Sequence, residues 1–139
     1  MQNPAGLFIG LTTIDIQYFI KKFPGSNVKT KSEPPTILVG GPATNAAVSF
    51  SKLNGEAWLV SSVGKNPFTG FISDDFKITN VNHVDLSENK HVNPVLAAVV
   101  TSSEDGNRNI FTHNPEKINI EISHEELFEK VQPQIIMLD

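Results

Sequence analysis

Two rhythms of apolar and polar residues run along this chain. Leu7–Leu11, Ala57–Val63 and Ile135–Leu138 are short and largely apolar on both faces, the pattern of strands covered by helices on either side. In Ile14–Phe23, Ile14, Ile16, Tyr18 and Ile20 alternate with Asp15, Gln17, Phe19 and Lys21, a period of two that predicts a strand with one packed and one free face. Lys21, Lys22 and Pro24 close it as an edge is closed. The polar stretch 25–35 contains Pro34-Pro35, which forbids a helix, and Thr36–Val39 is a further short strand. Val95–Ser102 and Asn109–Thr112 flank a turn centred on Asp105-Gly106, a hairpin signal.

Three segments carry helical spacing. Ala46, Ala47, Phe50 and Leu53 lie on one face of a helix that stops at Asn54-Gly55, residues that accept the left-handed conformation. Asn66 is placed to cap a second helix over Phe68–Lys77, with Pro67 at its first position. Ser123-His124-Glu125-Glu126 has the form of a capping box, with Ile122 and Leu127 set for a hydrophobic staple. That helix runs to Lys130 or Val131, where Pro133 breaks it. The two kinds of strand together predict an α/β core carrying a small antiparallel β flap with one wet face.

Composition narrows the function classes. The 139 residues suit one domain with a core of its own. There is no Cys, which excludes disulfides, thiolate-bound zinc, Fe–S clusters and thiol catalysis. With 11 Lys+Arg against 15 Asp+Glu, scattered, the chain lacks the basic surplus of a nucleic-acid binder. The longest apolar run, Val95–Val100, is far below the roughly 20 residues of a membrane helix, and Met1–Gly6 does not resemble a signal peptide. A cytoplasmic protein without membrane or nucleic-acid partners is the expectation.

Gly40-Gly41-Pro42-Ala43-Thr44-Asn45 is the most informative segment. Paired glycines let the backbone approach a ligand, free N–H groups at the following helix favour an oxygen-rich partner, and Asn45 offers both a donor and an acceptor to a hydroxyl. The segment also serves as a plain strand-to-helix turn, and both readings stand on these residues alone. Asp15 follows the first core strand, at the edge where ligands collect in open α/β sheets; its alternative is a solvated place on the free face of the second strand. There is no P-loop, no G-x-G-x-x-G and no G-x-S-x-G. His83, His91, His113 and His124 lack ligand spacing, so no metal site is expected. Phe50 and Trp58 are expected in the core.

In order along the chain, these residues resemble the N-terminal part of the ribokinase-like (PfkB) carbohydrate kinases. The matching blocks are Gly10-Leu11-Thr12-Thr13-Ile14-Asp15, Gly40-Gly41-Pro42-Ala43-Thr44-Asn45-Ala46-Ala47 and Val63-Gly64-Lys65-Asn66-Pro67-Phe68-Thr69-Gly70, followed by a hairpin through Asp105-Gly106-Asn107-Arg108. The resemblance implies a Rossmann-like three-layer core, about residues 6–12, 40–80 and 116–139, and a β lid, about 14–39 and 94–113. It implies that Asp15, Gly40, Gly41 and Asn45 bind a sugar under the lid, that ATP and Mg²⁺ are used, and that a homodimer forms through the lid. Rivals are a nucleoside kinase, a non-catalytic carbohydrate- or partner-binding module and an ordinary Rossmann-like nucleotide domain. Two departures stand out: Asn54 occupies a usual glycine position, and the D-T-x-G-A-G-D segment of the anion hole and catalytic base is absent. The stretch is therefore expected to be an N-terminal portion that is inactive by itself, with an exposed strand edge that favours self-association.

Overall fold

A computed structural model of the protein describes residues 3–113 and 123–139. In chain order its elements are β1 (Ala5–Ile9), β2 (Thr13–Ile20), β3 (Thr36–Gly40), α1 (Pro42–Lys52), β4 (Glu56–Ser61), α2 (Thr69–Ile78), β5 (Val81–Asp85), β6 (Leu96–Ser102), β7 (Arg108–Thr112), α3 (His124–Val131) and β8 (Ile135–Leu138).

The apolar strands form one sheet, in the order β5-β4-β1-β8, all parallel. A parallel sheet needs cover on both faces. On one face, Ala43 and Ala47 of α1 and Ile72 and Phe76 of α2 pack with Phe8 and Leu59; on the other, Leu127 and Val131 of α3 pack with Leu7 and Val60. This is the expected three-layer α/β/α core. Phe50 closes against Phe8, ring centroids 5.5 Å apart. Trp58 is half-buried, its face under the Lys130 ammonium at 4.7 Å, so it caps the second core rather than filling it.

The other four strands form a second sheet, β3-β2-β6-β7. Its outer pairs, β2–β3 and β6–β7, are antiparallel as anticipated, but the central pair β2–β6 is parallel, so the lid is a mixed sheet. The reason lies in the core. β2 follows β1 and β6 follows β5, and both leave the same end of a parallel sheet, so they climb side by side in one direction. The Ile14 amide, donating to the Val95 carbonyl at 2.8 Å, joins the two lead-ins. Ile14 is buried in the core cluster, and Ile16, Val39 and Leu96 pack against it, which seats the lid's lower end on the core.

Three local expectations shift. β5 carries only two apolar residues in Val81-Asn82-His83-Val84-Asp85 and was not anticipated from the pattern. Asn66 does not cap α2: its carboxamide oxygen accepts from the Phe68 amide at 2.8 Å and closes the preceding turn, and the helix begins at Thr69. The first helix begins at Pro42, earlier than its apolar face suggests, because proline suits the first helical position. Asn54, at φ 64°, ends α1 as its type allows, and the Ser123 hydroxyl caps α3 by accepting from the Glu126 amide. The staple residue Ile122 and the start of the third core segment at 116 lie outside the described residues.

Candidate functional site

The connections place the site. From β1 the chain crosses one face through α1 to β4, whereas β8 is entered from α3 on the opposite face. Beside β1 the winding therefore changes sides, and ligands bind outside the carboxyl ends of strands at such a point. A cleft of about 360 Å³ lies there, with Gly10, Thr12, Thr13, Ser61, Asn66 and Asp139 among its walls. The lid rises from its rim.

Asp15 stands on β2 at the base of the lid, partly exposed, its Oδ1 accepting from the Thr13 hydroxyl at 2.8 Å. Thr13 pairs across the ladder with Gly40. A side chain at Gly40 would collide with the Asp15 carboxylate, so glycine there leaves room for it to lie against the β3–α1 turn. Gly41 has φ 104° and ψ 146°, a conformation essentially limited to glycine, and caps α1 without a side chain. Asn45 lies one turn on: its amide donates to the Gly41 carbonyl at 2.8 Å and its side chain is exposed. Asp15, Gly40 and Gly41 are thus brought together at the base of the lid, and Asn45 follows on the first turn of the helix that they open. Cross-strand partners share a face, so Asp15 sits in a row with Leu38 and Ala97, a carboxylate among apolar neighbours.

Sequence reasoning missed two features. Asp139, at the tip of β8, is the counterpart of Asp15 at a strand end; its Oδ2 accepts from the Leu11 amide at 3.3 Å, and the strand-tip rule could have found it. The second is a buried polar chain. The Thr44 hydroxyl donates to the Leu11 carbonyl (3.2 Å) and lies 3.0 Å from that of Thr12; Thr12 donates to Ser61 (2.7 Å), and Ser61 meets Nε2 of His83 (2.9 Å). Burial holds the His83 imidazole below the ordinary histidine range, with the Asp85 carboxylate opposing. Asp85 itself clamps the next loop, accepting from the amides of Val63, Gly64 and Ser87 at 2.8–2.9 Å.

The family model of the pfkB family carbohydrate kinases matches residues 6–136. The chain belongs to that family. Solved structures with the same fold include the ribokinase of Arabidopsis thaliana complexed with ribose and ATP, 18% identical, TM-score 0.76, covering 99% of this chain and 45% of that one. The ribokinase of Cryptococcus neoformans in complex with ADP is 15% identical at TM-score 0.72, covering 99% and 41%; that of Giardia lamblia is 18% identical at 0.68, covering 80% and 33%. The chain thus spans less than half the length of these ribokinases. No curated protein matches it. Among the described residues no helix is long and apolar enough to cross a membrane, and no three acidic or histidine side chains gather as metal ligands.

Proposed function

We propose that this PfkB chain is the sugar-gripping part of an ATP-dependent carbohydrate kinase, which phosphorylates a hydroxyl of a small sugar. The carboxylate of Asp15, lying at the glycine pair that opens α1 and held by the hydroxyl of Thr13, a residue of the cleft wall, carries this reading. Asp15 accepts hydrogen bonds from sugar hydroxyls, Gly40 and Gly41 present backbone and hinge the lid, and Asn45 serves a further hydroxyl. The lid closes to exclude water, which protects a phosphoryl group from hydrolysis. Leu38, beside Asp15, offers an apolar surface to the C–H face of a sugar.

The residues of this chain do not fit ATP and Mg²⁺. The sequence has neither a P-loop nor the D-T-x-G-A-G-D segment, and no ligand trio gathers among the described residues. In this reading the nucleotide site and the catalytic base are supplied by other residues, and the 139-residue stretch alone transfers no phosphoryl group.

Titration calorimetry of the full-length protein with D-ribose, D-fructose and adenosine, beside a coupled ADP-release assay, tests the function. Saturable binding of a sugar and sugar-dependent ADP release are expected. Binding of adenosine with no response to either sugar would overturn the acceptor class in favour of a nucleoside. Sugar binding without ADP release would leave a binding module.

The lid also bears a row of apolar side chains on the face opposite Asp15, with Ile37 44% and Phe111 64% exposed. In our reading two lids pair through this face into a homodimer. Light scattering is expected to report a dimer, and Phe111→Asp to return it to a monomer; a monomeric parent would overturn the pairing.

A further inference from the structure

The buried chain from Leu11 to His83 has an unusual position. Thr44 and Ser61 are almost fully buried and Thr12 nearly so, in a largely apolar interior. It links four elements: the loop after β1, the first turn of α1, β4 and β5. Thr12 immediately precedes Thr13, whose hydroxyl holds Asp15, and Thr44 immediately precedes Asn45. Thr12, in the cleft wall, and Thr44, on α1, therefore anchor the neighbours of both side chains assigned to the sugar. The far end is an imidazole.

Counting protons favours one state of that imidazole. The heavy-atom geometry assigns the Thr44 hydrogen to the Leu11 carbonyl and the Thr12 hydrogen to Ser61. The Ser61 hydrogen has Nε2 of His83 as its acceptor when the ring hydrogen sits on Nδ1, the arrangement that leaves every hydroxyl hydrogen of the chain with a partner. A proton added at Nε2 makes the ring a donor toward Ser61. Ser61 then either accepts from both the ring and Thr12, leaving its own buried hydrogen without an acceptor, or turns that hydrogen toward Thr12, which passes its own to Thr44. The disturbance thus reaches the cleft wall.

The ring's surroundings leave it few other partners. Phe76 of α2 packs on it with centroids 4.9 Å apart. The charged groups around the adjoining hollow are Asp85, Glu88, Lys77 of α2 and Lys130 of α3, while Lys52 at the end of α1 acts on Asp75 of α2. Asp85 favours the protonated ring, but burial outweighs it.

We propose that His83 is a positioning residue of the sugar site: as a neutral acceptor it holds Ser61, and through Ser61 the Thr12 and Thr44 hydroxyls, so that Asp15 and Asn45 stay aimed, and its protonation loosens the grip on sugar. The proposal rests on the sugar reading of the cleft given above. The same linkage sets a stability window. Because burial keeps the folded imidazole below the ordinary value of 6.5, the unfolded chain takes up this proton first. The His83 contribution is complete above about pH 6.5 and is lost as pH falls through the window below it.

The test uses the full-length protein, with imidazole and amide NMR signals and calorimetry with D-ribose and D-fructose, between about pH 5.5 and 8, the range in which histidine titrates. Sugar affinity is expected to fall about tenfold across the His83 titration, an effect in the range of single charge-assisted contacts. His83→Gln, whose amide oxygen can accept from Ser61, should keep the neutral-pH affinity and lose the pH step. His83→Leu should weaken binding at every pH, raising KM with kcat little changed. Ser61→Ala should do the same, and it stands in should the leucine variant fail to fold. A pH step that survives in His83→Gln, or parental affinity in both His83→Leu and Ser61→Ala, would overturn the proposal. If neither sugar binds at any pH, the sugar reading fails separately. The positioning claim is then read from the amide signals of Thr12, Thr13 and Asn45, which must move with the imidazole midpoint; signals that stay still overturn it.

Discussion

Replacing Gly41 with alanine should destabilise the fold by about 3 kcal/mol or more, the largest effect expected of any conservative substitution at the site. Two costs add. The backbone at φ 104° and ψ 146° lies where residues with a Cβ are strained, and the new methyl group would be driven into the Leu11 carbonyl. That carbonyl also accepts the Thr44 hydroxyl, so relief by moving the loop after β1 breaks the buried chain as well. Gly25→Ala is the matched control, because a Cβ there meets nothing within 4 Å and its φ is not positive. Urea unfolding of the two variants beside the parent measures the difference. A loss at Gly41 no larger than that at Gly25 would mean that the β3–α1 turn has freedom to reshape.

The second large effect is on ligand binding. Asp15→Ala is expected to weaken sugar binding by about 1–3 kcal/mol, roughly fivefold to 150-fold, because the bound hydroxyls lose a charged acceptor. Asn45→Ala should cost an amount at the lower end of that range, since a neutral amide makes weaker hydrogen bonds. Neither change should harm stability appreciably: the Asn45 side chain is exposed, and Asp15 is partly exposed with Thr13 as its hydrogen-bond donor. Calorimetry with the sugar that binds the parent provides the comparison. Unchanged affinity in both variants would remove Asp15 and Asn45 from the site and leave Asp139 as the carboxylate facing the cleft.

What could be read from the sequence follows physical lines. Strands β1, β4 and β8 were legible because a strand buried on both faces must be apolar throughout. β2 was legible because its apolar residues Ile14, Ile16, Tyr18 and Ile20 alternate with others along the chain, and Ile14 and Ile16 pack on the core. Strand β5 escaped since it lies at the sheet edge and fills its inward position with His83, whose burial depends on a hydrogen bond to Ser61 across the sheet. No local pattern encodes a contact between residues 22 apart. The antiparallel lid was half right for a similar reason. Hairpins are local and announce themselves through turn residues, as Asp105-Gly106 did, but the parallel pairing of β2 with β6 is set by the direction in which two distant core strands point. At the site, Asp15 and the glycine pair were visible as types in order along the chain. The rule that marked Asp15, a carboxylate just past a strand tip, applies equally to Asp139, which follows β8.

The parallel seam between β2 and β6 has a mechanical consequence. A cover built of two separate hairpins could flap at either hinge alone, admitting ligand past one while the other stayed shut. Here seven cross-strand positions, from Ile14–Leu96 to Ile20–Ser102, weld the hairpins into one board. It can tilt only if the chain yields at several roots together, among them the links between β1 and β2 and between β5 and β6 and the glycine pair between β3 and α1. Entry and departure of whatever lies beneath should accordingly share one rate-limiting swing, and stiffening any one root should slow both.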